Sequence, residues 1–503
     1  MVIFKYILSL LIWLPIILGL LILLINRKFL SYIALLTGIV SVLLSCVLIK
    51  NFNITEHGWQ FVEYYKWLPQ LGVYYALGVD GFSVLLIILS CVVNLLALII
   101  SLNCTHNKPR YMSCFLIMNG LMNGVFTATN AVLFYVFFEA MLIPLFLIIG
   151  VWGGEKRVYA TIKFLLYTFL GSLLFLITII YLHKLAISSG VSLEGSFVIN
   201  NYYSLKLTIE QQIYLLIALF IAFAIKIPIA PFHTWLPDAH VEAPIEASVI
   251  LSAITLKVGA FAMIRFLLPI TNNACVLLSK VTIGLSLFTL LYISFIVLYQ
   301  KSLKKLIAYS AIANMAIVTI GIFMAANLVK SHNINHAVLS INGSLMQIIS
   351  HGLISAALFI SVGILYRRTY SNNIDDLGGI INPMPLFAKL FMIICLANIA
   401  LPGTIGFIGE LLIILASFKI NYLITILIST NLLLSASYTL WMYKRIIFGE
   451  VINRQFKLLT DLDVKETIAL SSCAILILAL GIYPAPLFNI LRTTTLDLIK
   501  VIA

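Results

Sequence analysis

Apolar stretches of about 20 residues, the length a helix needs to cross the hydrocarbon core of a bilayer, recur along the whole of this 503-residue chain with short polar breaks between them. About fourteen can be traced, at residues 3–25, 29–49, 78–101, 111–128, 131–151, 162–183, 211–231, 247–268, 275–299, 303–327, 337–366, 386–416, 421–447 and 465–490. In lipid the backbone must satisfy its own polar groups, and a helix does so within one segment. The class expected is therefore all-α and polytopic, a single transmembrane domain over 1–503. Only 10% of residues are charged, where a water-facing domain carries about a quarter. That excludes a soluble enzyme, a disordered segment, a coiled coil and a nucleic-acid-binding module. The seven cysteines show no C-x-x-C and no metal spacing, so neither an iron–sulfur cluster nor a disulfide framework is expected. The first run exceeds the apolar core of a signal peptide and lacks a small-residue cleavage site before Asn26-Arg27-Lys28, which reads as a retained helix.

The net charge of +13 comes from 31 Lys and Arg against 18 Asp and Glu, scattered between the apolar runs as at membrane flanks rather than gathered in a groove. Odd-numbered inter-span segments hold 17 of these cations: Arg27, Lys28, Lys108, Arg110, Lys156, Arg157, Lys163, Lys301, Lys304, Lys305, Arg367, Arg368, Lys444, Arg445, Arg454, Lys457 and Lys465, against 10 in the even segments and termini. The excess places the odd segments on the cytoplasmic or matrix side and both termini outside. The longer segments 50–77 and 184–210 then face outward and read as structured loops.

Two spans are interrupted. In the seventh, Pro228 and Pro231 remove donors and are expected to leave the carbonyls of Ala224 and Ile227 without helical partners; in the twelfth, Pro402-Gly403 does the same to Asn398. Alone, each is an ordinary proline kink. Paired in corresponding halves, broken helices point to an inverted-repeat transporter. The division this suggests is residues 1–110 (helices 1–3), 111–268 (first repeat, helices 4–8), 275–447 (second repeat, helices 9–13) and 465–503 (last helix and C-terminus).

A charge at the bilayer centre costs at least about 2.5–3.5 kcal/mol, so those inside the spans need a reason. They are Glu139 in the fifth, Lys226 in the seventh, Lys257 in the eighth, His351 in the eleventh and Glu410 in the twelfth. Lys163, Lys280, Arg265, Lys389, Lys444 and Arg445 lie nearer span ends, where snorkelling suffices. A buried amine holds its proton less firmly, and a carboxylate brought beside it tightens the hold. Glu139 and Lys226 could thus load and unload a proton by approaching and parting, or form a permanent bridge that holds two helices. After the first break, the stretch from His233 through Asp238, His240 and Glu242 to Pro244 gathers titratable groups at one mouth, which suits proton entry. A metal site from those four is the alternative, although their spacing matches no common ligand pattern. Phosphate-cradling, dinucleotide-binding and nucleophile-elbow motifs do not occur in a suitable context.

The stretches Phe137-Phe138-Glu139-Ala140-Met141-Leu142-Ile143-Pro144, Lys226-Ile227-Pro228 with Pro231 through Pro244, and Leu401-Pro402-Gly403-Thr404 leading to Gly409-Glu410 resemble the antiporter-like subunits of respiratory complex I, NADH–quinone oxidoreductase. Glu at 410 resembles the branch called M, or chain 4 in mitochondria; branches L and N and the sodium/proton antiporter subunits usually carry Lys there. The resemblance covers nearly the whole chain. It implies a fourteen-helix membrane-arm subunit that moves protons outward while quinone is reduced elsewhere. Glu139 would pair with Lys226, Lys257 would relay in the middle, and Glu410 would face the exit. It further implies no cofactor in this chain, with NAD, FMN, iron–sulfur clusters and quinone in partner subunits. The implied partners are neighbouring membrane-arm subunits, the lateral helix of subunit L and lipid, in an inner membrane; the full N-terminal spans point to a bacterial rather than a mitochondrial one. The rival expectations are a cation/proton antiporter subunit and a non-conducting spacer of the arm. One departure is plain: where the family's tenth span usually reads S-S-V-S-H-M-G, this chain has Ser310-Ala311-Ile312-Ala313-Asn314-Met315-Ala316. Asn314 can hold water but takes no proton near neutral pH.

Overall fold

A computed structural model describes residues 6–25, 29–102, 107–450, 456 and 458–503; Asn26, Arg27, Lys28, Cys104, Arg454 and Lys457 lie outside the described residues. The described helices of eight residues or more, in chain order, are α1 Ile7–Ile25, α2 Leu30–Asn51, α3 Gly81–Ser101, α4 Lys108–Thr127, α5 Ala131–Trp152, α6 Arg157–Ser188, α7 Ile209–Lys226, α8 Trp235–Glu242, α9 Ile245–Ile270, α10 Ser279–Leu298, α11 Leu303–Lys330, α12 Ile334–Thr369, α13 Pro385–Asn398, α14 Ile405–Ser417, α15 Tyr422–Phe448, α16 Val464–Ile482 and α17 Ala485–Ile502. Twelve of the described helices are long and apolar enough to cross a membrane, and α13 and α14 are shorter apolar helices on either side of the second break.

The packing inverts the soluble rule. On α2 the buried side carries Ser31, Ala34, Thr37, Gly38, Ser41 and Ser45, while Tyr32, Leu36, Ile39 and Leu43 are exposed. Lipid competes equally for apolar side chains, so helices associate through small residues that let backbones approach. The reverse holds at the centre, where α9 and α12 are buried along their whole apolar windows. These two helices carry Lys257 and His351.

Ion pairs join segments that the charge count assigns to one side: Lys163 to Asp238 at 2.7 Å, Arg367 to Glu246 at 2.6 Å, Arg368 to Glu466 at 2.6 Å and Arg445 to Asp375 at 3.0 Å. On the opposite side His57 meets Asp497 at 2.7 Å. Segment 50–77 holds more than a loop. β1 Gln60–Leu68 and β2 Val73–Val79 form an antiparallel hairpin with Tyr65 opposite Tyr75, turned at Gly72 with φ +71°, a backbone conformation that glycine adopts freely. Glu63 of β1 reaches into the start of α1, where its carboxylate accepts the Leu8 and Ser9 N–H groups at 3.0 and 3.2 Å. These are orphan donors at a helix N-terminus, where negative charge is favoured. The fourteenth span is also shorter than its apolar run: α16 stops at Ile482, and after Pro484 a separate helix, α17, packs Leu487, Leu491, Leu498 and Ile499 inward.

Of the carbonyls expected to lose their helical partners, that of Ala224 gains another donor. The Ala224 carbonyl is taken by the Ile229 N–H at 2.8 Å, and at the second break Leu401 N–H reaches the Leu396 carbonyl at 3.1 Å. Each spans five residues, the closure typical of a helix C-terminus. At the first break the Trp235 indole, from the start of α8, donates to the Ile225 carbonyl at 2.9 Å. Trp235 is 1% exposed, so Trp235→Phe strands a buried acceptor, at a cost of about 1–3 kcal/mol. The expected outcome is a lower thermal midpoint for the detergent-solubilised protein with helix content preserved, read by circular dichroism.

Candidate functional site

Lys226 is the last residue of α7 and is buried; among the described residues its Nζ has no hydrogen-bond partner, and it lies 4.6 Å from the centre of the Phe138 ring. Glu139 follows Phe138 in the chain, just before the turn at Met141 that interrupts α5, and its Oε2 is also buried without a partner among the described residues. No ion pair of 4.0 Å or less joins Glu139 to Lys226. Gly259 of α9 makes the neighbouring approach possible: a Cβ there would meet the Lys226 Cβ at 3.1 Å and Ile227 Cγ1 at 2.7 Å.

Lys257 lies on α9 between two π-helical turns, Leu251–Thr255 and Met263–Leu267. Such turns free backbone groups from the regular ladder. Its Nζ donates to the Ser252 carbonyl at 2.5 Å and sits 2.7 Å from Nδ1 of His351 on α12. One turn before His351, Gln347 donates to Asn314 Oδ1 at 3.1 Å and to Glu410 Oε1 at 3.3 Å. Asn314, Gln347, His351, Asn398 and Glu410 surround a cavity of about 10 Å³, near the minimum for one water. A Cβ at Gly409 would stand 2.6 Å from the Gln347 N, so glycine there lets α14 bring Glu410 against α12. The buried polar line from Lys257 to Glu410 is therefore continuous apart from that one gap. Gln347 was missed in the sequence, although its spacing of four before His351 puts both on one helix face.

The four entry residues do not converge. His240 is fully buried, stacked 4.6 Å from the Phe359 ring, and neither ring nitrogen has a hydrogen-bond partner among the described residues. His233 faces Tyr292 edge-on at 6.1 Å. Asp238 is tied to Lys163, and Glu242 accepts the Lys156 N–H at 2.9 Å. No group of three or more potential metal ligands forms among the described residues, so the alternative ligand set is not assembled. What does sit at this mouth is a pocket of about 450 Å³ lined by Glu242, Glu246, Lys304 and Arg367. There Lys304 Nζ donates to the carbonyls of Val241 and Ala243 at 3.1 and 2.8 Å, capping the end of α8, and Glu246 accepts Tyr111 Oη at 2.8 Å beside its pair with Arg367.

Arg265 does not snorkel. It is 9% exposed, paired with Asp80 at the start of α3, and its guanidinium lies 4.5 Å from the Trp59 ring centre and 5.1 Å from that of Phe261. It was misplaced because distance from a span end does not tell which way a side chain turns.

A family model described as NADH:quinone oxidoreductase/Mrp antiporter, TM matches residues 128–435. NADH-quinone oxidoreductase subunit M of Rickettsia bellii is 40% identical over 93% of this chain and 92% of its own. NADH-ubiquinone oxidoreductase chain 4 of Chondrus crispus is 38% identical over 95% and 93%. Among solved structures, a chain of respiratory complex I from Thermus thermophilus superposes with a TM-score of 0.88 at 28% identity, covering 99% of this chain and 100% of that one. A chain of the Mrp complex from Dietzia matches the fold with a TM-score of 0.84 at 16% identity over the full length of both. By family model, by sequence over nearly its full length and by fold, the chain belongs to the transmembrane family shared by NADH:quinone oxidoreductases and Mrp antiporters.

Proposed function

We propose that this chain is an M-type subunit of the membrane arm of complex I and carries protons across an inner membrane while NADH is oxidised and quinone reduced in partner subunits. Residues 111–268 and 275–447 act as inverted repeats, each with its broken helix, α7/α8 and α13/α14. The single observation that carries the reading is the 2.7 Å contact between Lys257 on α9 and His351 on α12, which joins the two halves through titratable nitrogens at the buried centre. Protons enter at the face bearing Lys304 and Arg367, pass His240 and reach the amines of Lys226 and Lys257. Approach of Glu139 holds the proton on Lys226, and its retreat releases it toward Lys257 and His351. A water held in the cavity lined by His351, Gln347 and Glu410 would pass it to Glu410, which faces the exit.

The energies are matched. A tenfold to hundredfold change in proton affinity is worth about 1.4–2.7 kcal/mol, comparable with about 2.3 kcal/mol for one charge crossing 100 mV. In this reading NAD, FMN, iron–sulfur clusters and quinone belong to partner subunits, and the neighbours in the membrane are other antiporter-like subunits and the lateral helix of subunit L.

Lys226→Ala in an assembly of normal abundance is expected to lower the number of protons pumped per NADH oxidised, measured with a pH dye in sealed vesicles. An unchanged ratio would leave this chain a spacer, and sodium-driven proton exchange without quinone reduction would favour the antiporter reading. Asn314 acts here by ordering water, so Asn314→Leu should slow pumping about tenfold, the value of one hydrogen bond of about 1.4 kcal/mol. Asn314→His should leave the rate within a factor of about two; a large gain with histidine would show that a protonatable group is needed at that position.

A further inference from the structure

At the end of α9 opposite the entry pocket lies a second pocket, of about 410 Å³, with Trp59, Asp80 and Arg265 in its wall. The Arg265–Asp80 pair is sequestered there, with side chains 11% and 8% exposed. Both carboxylate oxygens of Asp80 are committed: Oδ2 to Arg265 and Oδ1 to the Ser83 N–H at 3.0 Å, which it caps at the start of α3. Behind the pair, rings touch one another back to the centre. Phe261 lies 5.1 Å from the Arg265 guanidinium and 6.4 Å from Phe134, Phe134 lies 5.9 Å from Phe138, and Phe138 is the ring 4.6 Å from Lys226 Nζ. All three phenylalanines are no more than 2% exposed.

The contrast with the other half is chemical. From Lys257 to Glu410 polar side chains follow one another with a single small polar-lined cavity between them, whereas this run of rings from Lys226 to Arg265 offers no donor or acceptor. Water needs two to four polar partners to remain in a buried gap, apolar constrictions stay dry, and a fixed arginine opposes an approaching cation. Resting on the proton-translocating reading above, we infer that Phe138, Phe134 and Phe261, closed on the outside by the Arg265–Asp80 pair, form an insulating barrier that prevents a proton on Lys226 from escaping through the first half. The proton on Lys226 is thereby obliged to travel along the polar line to Glu410. Arg265 and the three rings are barrier residues rather than carriers.

The test is passive leak. The whole assembly is reconstituted in vesicles without NADH, a pH gradient is imposed, and proton flux is followed with an internal dye. Phe261→Ser, and separately Arg265→Gln with Asp80→Asn, should raise the flux at least about tenfold, the factor given by a barrier lower by about 1.4 kcal/mol. Adding Lys226→Ala should return it to the unaltered level. Flux equal to the unaltered assembly in both variants overturns the barrier, as does a leak that persists without Lys226. Should Phe261→Ser not assemble, Phe134→Thr opens the same run deeper inside and should leak to the same degree; its failure to leak overturns the barrier equally. The two readings fail separately: unchanged NADH-driven pumping in Lys226→Ala removes the translocation reading, while reduced pumping in that variant with no leak in the ring variants removes only the barrier.

Discussion

The constraint on which this molecule depends is the cost of charge and unpaired backbone in hydrocarbon. Each buried charge in the core must be paired, hydrogen-bonded or held against an aromatic face. The chain uses all three devices in different places. Arg265 has a carboxylate and rings, Lys257 has a carbonyl and an imidazole, and Lys226 has, among the described residues, only the face of Phe138. A cation over a desolvated ring gains about 2 kcal/mol, less than a direct ion pair in the same surroundings. Lys226 is therefore the least secured of the three, and it stands next to a carboxylate that can change that.

The same constraint explains why the breaks lie where they do. A broken helix in lipid exposes donors and acceptors, yet here the freed groups are gathered in by the fold: Ile229 closes on Ala224, Leu401 on Leu396, and Trp235 reaches back to Ile225. The proline positions set where the helices stop, and the return of the chain decides which groups stay unpaired. The π-helical turns on either side of Lys257 loosen the backbone without ending the helix, so α9 continues as one rod from Glu246 at one pocket to Arg265 at the other. That rod of 26 residues spans about 39 Å at 1.5 Å per residue, enough to cross the hydrocarbon core.

Much of this was legible from residue order alone. Apolar run length marked the helices, the surplus of Lys and Arg sorted the loops into the two sets that the ion pairs then join, and charge in an apolar run singled out Glu139, Lys226, Lys257, His351 and Glu410 as worth an explanation. The misses share a cause. The hairpin Gln60–Val79 lacks a clean alternation of apolar and polar residues, because aromatic residues stand on both faces of its strands. Gln347 is one polar residue in a long helix, and nothing in one dimension shows that α11 and α14 meet it. The four entry residues lie close together in the sequence, but the turn at His233 and the short helix α8 that follows direct His233, Asp238, His240 and Glu242 toward different neighbours.

Sequence by itself determined that the chain must cross a membrane many times, that two crossings must break, and that Glu139, Lys226, Lys257, His351 and Glu410 lie within apolar runs, while it misjudged Arg265. It could do so because insertion energy depends on residue type summed over about 20 positions, a local quantity. Only the tertiary structure decided that Lys257 meets His351, that Gln347 bridges Asn314 and Glu410, and that phenylalanines stand between Lys226 and Arg265. Those contacts depend on how helices far apart in the chain rotate against one another, and that rotation is set by the small residues, such as Gly259 and Gly409, where their backbones touch.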